Sequence, residues 1–74
     1  ITKNDYMNLG HIHWCKNERQ LAIQNYRSSL KMSGSDIDWF AKVFLDDSKF
    51  LEQHGIRSID IPLMIDYVRL SADS

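Results

Sequence analysis

The chain has 74 residues, nine Lys/Arg against ten Asp/Glu, a net charge of −1, 43% hydrophobic and 26% charged residues. This fits one small globular domain or a piece of a larger protein, and it excludes disordered, collagen-like and linker-like chains. A folded chain of this size should expose about 4,700 Å², burying only about 62% of its extended surface. One cysteine, Cys15, cannot form an internal disulfide, and no zinc-finger spacing is present, so packing must hold the fold.

The near-neutral balance argues against nucleic acid as a partner. The apolar run around Leu63-Met64-Ile65 is far too short to span a membrane. No secretory leader is evident, and the first residue, Ile1, leads us to expect further sequence upstream. The compartment stays open, with the cytoplasm slightly favoured. Charge is divided unevenly: residues 1–34 carry five basic and two acidic groups, residues 35–74 four and eight.

Four helices and no strand are expected. The first spans about Asn4 to Cys15, with Asn4 or Asp5 at its start and Tyr6, Met7, Leu9, Ile12 and Trp14 recurring at three- and four-residue spacings. Lys16-Asn17 makes a turn. The second spans about Glu18 to Met32, burying Leu21, Ala22, Ile23, Tyr26, Ser29 and Leu30, and Gly34 stops it.

The third is expected to be long, from an N-cap at Ser35 to Gly55, with Ile37, Phe40, Ala41, Phe44, Leu45, Ser48 and Leu51 as its apolar stripe. The fourth starts at Asp60, tolerates Pro62 in its first turn, and packs through Leu63, Met64, Tyr67, Val68 and Leu70. Residues 71–74 should fray.

The first pair contains Tyr6-x2-Leu9-Gly10-x2-His13, then Ala22-x3-Tyr26 and Ser29. This resembles the tetratricopeptide repeat (TPR), a helix-turn-helix unit of 34 residues, placed at 3–36. Tyr6 stands where Trp is usual and His13 where Tyr is usual. Gly10 and Ala22 are small residues that let two helices approach closely, and the short turn makes them antiparallel. Residues 37–70 read as a degenerate repeat or a C-terminal capping pair, because Val43-Phe44 replaces the Leu-Gly pair. The expected architecture is therefore all-α, a TPR-like right-handed superhelical repeat fragment.

The resemblance implies a non-catalytic protein-interaction module or scaffold. Its first helix would line a groove for a peptide or partner helix, with Asn4, Met7, Asn8 and His11 on the groove face and Trp14 as a further contact. Tyr6, Leu9, Gly10, His13, Ala22, Tyr26 and Ser29 would pack the repeat. No Lys or Arg shares the helix face of Asn4 and Asn8, so a clamp for a peptide carboxylate is not implied. The alternative role is structural: a solenoid cap, or a unit that self-associates.

Chemistry-bearing patterns are sparse. His11 and Cys15 share a helix face, but His13 points elsewhere and no third ligand completes a metal site. Asp46 and Asp47 are adjacent, so their side chains diverge by roughly 100° and form no tight carboxylate pair. There is no nucleophile elbow, phosphate-binding loop or dinucleotide fingerprint. No cofactor and no enzymatic activity are expected.

Overall fold

The computed structural model describes residues 1–71 and is all-helical there. Helix α1 is Lys3–Cys15, α2 Arg19–Met32, α3 Ile37–Asp46, α4 Ser48–Gln53 and α5 Asp60–Ser71. Five helices replace the expected four, because the long third segment is broken at Asp47. Ser71 is helical, and the fraying expected at 72–74 lies outside the described residues.

The starts of α1 and α3 use local carboxylates and hydroxyls. Thr2, not Asn4 or Asp5, caps α1: its hydroxyl accepts from the Asp5 amide at 3.2 Å, and the Asp5 carboxylate accepts from the Thr2 amide at 2.8 Å. That backbone donor holds the Asp5 carboxyl below its ordinary value. Asp36, not Ser35, caps α3 by accepting from the Trp39 amide at 3.0 Å.

Helix ends share one device. Residues Asn17, Gly34 and Gly55 each have a positive φ, and the residue after each bonds back to the carbonyl five positions earlier: Glu18 to His13, Ser35 to Leu30, Ile56 to Leu51. Glycine and asparagine tolerate this left-handed conformation best, which is why these three positions end helices.

Helices α1 and α2 form an antiparallel hairpin. The Ser29 hydroxyl donates to the Lys3 carbonyl at 2.8 Å, tying the end of α2 to the start of α1. Midway, Gly10 faces the Tyr26 ring. A Cβ at Gly10 would collide with Tyr26 Cδ1 and Cε1 and lie 2.9 Å from Cζ. Ala22 is fully buried, but the atoms nearest Gly10 are those of the tyrosine. The missing side chain on α1 thus seats an aromatic ring of α2.

Around Tyr26 the core collects Met7, Ile23, Leu30, Phe40, Phe44, Leu51, Ile61, Met64, Ile65 and Val68. Ring centroids lie 4.8 Å apart for Tyr26 and Phe44 and 6.3 Å for Tyr26 and Phe40. Helix α5 buries Ile61, Met64, Ile65 and Val68, spaced i, i+3, i+4, i+7. The expected contacts Leu63, Tyr67 and Leu70 are instead exposed. Leu21 and Leu45 are exposed too. The chain exposes 4721 Å², the surface its length predicts for a compact fold.

The Gly10 seat gives a direct prediction. Gly10→Ala gains about 1 kcal/mol in helix propensity. Overpacking against a ring held on every side costs about 1–3 kcal/mol. A net loss of up to about 2 kcal/mol, and a melting temperature lower by up to about 15 °C, is expected in thermal unfolding. A variant that melts higher than the parent would contradict the seat.

Candidate functional site

Among the expected groove residues, the structure separates two kinds. Met7 is 1% exposed and belongs to the core, and His11 is 2% exposed. Met7 is thereby corrected from a groove contact to an interior residue, while His11, though buried, still lines a cleft. The reason is helical phase: Met7, Gly10, His11 and Trp14 share the face that packs on α2, α3 and α4. Asn4 and Asn8 are exposed as expected.

His11 is the polar centre of the interior. Its Nδ1 lies 2.7 Å from the Tyr26 hydroxyl, and its Nε2 lies 3.0 Å from Asp47 Oδ2. The ring also stands edge-on to Phe44, centroid to centroid 4.9 Å at 87°. One tautomer satisfies every group. Tyr26 O–H donates to Nδ1, and Nε2–H donates to the Asp47 carboxylate. A second proton on Nδ1 would leave the buried tyrosine proton without an acceptor.

Burial lowers the His11 pKa below the ordinary 6.5, against the opposing pull of Asp47. Burial likewise pushes the Tyr26 phenol well above its ordinary 10, with the charges of Cys15 and Asp47 adding to it. Both groups are thus held neutral near pH 7. Neither histidine nitrogen has a spare position for a substrate, and Tyr26 is wholly enclosed. The arrangement is a connecting bridge across α1, α2 and the α3–α4 junction.

That bridge accompanies the break in the third segment. Asp47 has φ −93° and ψ 8°, and its amide bonds to the Phe44 carbonyl three residues back. The Ser48 hydroxyl donates to the Leu45 carbonyl at 2.7 Å, occupying an acceptor at the break. Asp47 is the N-cap of α4, yet its carboxylate caps no amide there. It turns to His11 instead, while the redirected helix carries Leu51 into the core.

Beside the bridge lies an open cleft of about 360 Å³, lined by Asn8, His11 and Ile12 of α1, Asp47 of the junction and Phe50 of α4. Ile12 and Phe50 are 48% and 43% exposed on it. Asn8 and His11 are the two expected groove residues that this cleft unites. Ile12, Asp47 and Phe50 were missed. Ile12 had been assigned to packing, and Phe50 lay outside the apolar stripe of an unbroken helix.

The remaining candidates serve packing or local turns. Trp14 is half-buried, edge-on to Tyr26 and Phe44, with its outer side on a second cleft formed with Arg19, Asp60, Leu63, Met64 and Tyr67. Tyr6 is half-buried, and Leu9 is 36% exposed at the rim of the hairpin instead of inside it. His13 is half-buried at the end of α1. It bonds to Glu18 at 2.9 Å across the α1–α2 turn, and this contact draws the Glu18 pKa down.

Among the described residues, no group of His, Cys, Asp and Glu is placed to hold a metal ion. Nor is any helix there long and apolar enough to cross a membrane. Burial raises the Cys15 pKa, which disfavours its thiolate. Compared with known proteins, the chain matches no family model, no curated protein and no solved structure.

The neutral His11 carries a pH signature. The unfolded chain takes up a proton at about 6.5, while the folded chain resists it. Stability is therefore full above pH 6.5 and declines as pH falls from there toward the lowered folded value. The slope is at most about 1.4 kcal/mol per pH unit. Asp5 and Glu18 act lower, because their folded values lie below the ordinary carboxylate values. Denaturant unfolding at pH 7.5, 6.5 and 5.5 should show the decline, flattened in His11→Gln. Parallel profiles for the two proteins would contradict it.

Proposed function

We propose that this chain is a non-catalytic protein-interaction module. In this reading residues 3–36 form a TPR-like hairpin, and 37–70 form a degenerate repeat or capping helices. The module binds a peptide or a partner helix in the cleft between α1 and α4. The observation that carries the reading is the pairing of Ile12 and Phe50, two large apolar side chains left about half exposed on either side of one cleft. Covering the exposed half of each with a partner would release water from both, a gain of about 0.7–1.5 kcal/mol for each. The interior beneath is rigidly partnered, so the cleft walls are preformed and little ordering cost attends binding.

Chemistry argues in the same direction. The polar groups next to the cleft are committed to one another, which suits recognition better than proton transfer. Asn8 offers an exposed amide on the cleft wall that can bond a peptide backbone.

Panning a displayed peptide library against the folded chain should return binders. Their affinity should fall about three- to ten-fold with Phe50→Ala or Ile12→Ala, as expected for losing one half-covered apolar contact. Both positions are partly exposed, so circular dichroism should stay unchanged. Binders indifferent to both substitutions would reject the cleft as the binding face.

A further inference from the structure

The cleft has an electrostatic feature that its apolar walls do not explain. Asp47 lines it, with 37% of its side chain exposed. Among the described residues, the one basic side chain paired with Asp47 is His11, at 3.0 Å. That imidazole is the neutral donor in the bridge, so the contact brings no cation to the carboxylate. The other acidic residues nearby in sequence differ: Asp46 is paired with Lys42 at 3.3 Å. Asp47 is also released from the usual duty of its position, since it caps no amide of α4.

An uncompensated carboxylate beside two exposed apolar side chains is a composite surface. Its complement is a cation next to an apolar group. We propose that the partner of this cleft is a peptide segment presenting a lysine or arginine beside an aliphatic or aromatic anchor. The anchor covers Ile12 and Phe50, and the cation meets Asp47. This rests on the cleft being the binding face and adds the chemical class of its occupant.

Residues 35–74, which supply Asp47 and Phe50, carry eight acidic and four basic groups, while residues 1–34, which supply Asn8, His11 and Ile12, carry two acidic and five basic. The preference for a cation is therefore set locally, by Asp47 itself. An anchor without a cation would leave Asp47 facing an apolar ligand, at a desolvation cost.

Three capped dipeptides serve as probes: N-acetyl-phenylalanyl-lysinamide and its glutamine and glutamate counterparts. Each is titrated into the full chain while the backbone amides of Asn8, Ile12 and Phe50 are followed by NMR. The lysine probe should bind about two- to five-fold more tightly than the glutamine probe, the range of a partly exposed ion pair. The glutamate probe should bind most weakly. In Asp47→Asn the three should converge. That variant keeps an oxygen to accept from His11 Nε2–H, so the fold is retained.

Equal binding of the lysine and glutamine probes to the parent chain would overturn the cation preference and leave the cleft reading standing. A lysine preference that survives Asp47→Asn would also overturn it. Failure of all three probes to move the cleft amides would overturn both this inference and the proposed binding face.

Discussion

The structure turns on the burial of one hydroxyl group. Tyr26 is fully enclosed and its ring makes centroid contacts with Trp14, Phe40 and Phe44. A phenol so placed must find a hydrogen-bond partner inside the protein, or its burial costs about 1–3 kcal/mol. His11 supplies that partner at 2.7 Å and then needs an acceptor for its own second nitrogen. Asp47 supplies it from the rim. Each buried polar group is satisfied only because the next one is present, and no buried side-chain polar atom among the described residues lacks a partner.

This chain of donors links pieces distant in sequence. Residues 11, 26 and 47 belong to α1, α2 and the α3–α4 junction, so the hairpin and the second half are joined by polar bonds as well as by apolar contact. The break at Asp47 is part of the same arrangement. It presents the carboxylate to His11, turns Leu51 inward, and leaves Phe50 on the open side facing Ile12. One local departure from helix thus shapes the core and the cleft together.

Much of the fold was legible because helical periodicity and stop residues are strong local signals. The hairpin, its turn and the stops at Gly34 and Gly55 follow from them. The phase of α5 was not legible: Leu63, Tyr67 and Leu70 are as apolar as Ile61 and Ile65, and only packing against α2 and α3 chooses between the two faces. The break at Asp47 was hidden for a related reason. Phe40, Phe44 and Leu51 continue one stripe, and the partner of the residue at the interruption lies 36 residues away at His11. His11 itself left a trace, since it falls in phase with Met7, Gly10 and Trp14. Reading it by analogy to a groove position obscured that trace. The small residue at Gly10 marked a close approach, and the atoms nearest it are those of the Tyr26 ring.

The central claim is the protonation state of one imidazole. Long-range proton–nitrogen correlation spectra of the 15N-labelled chain distinguish the two ring nitrogens of each histidine directly. For His11 at pH 7, Nε2 should resonate as a protonated nitrogen and Nδ1 as an unprotonated acceptor, with that state persisting below the pH at which an ordinary histidine is half charged. An Nδ1–H tautomer, or an imidazolium already present at pH 7, would contradict the bridge and the cleft built beside it.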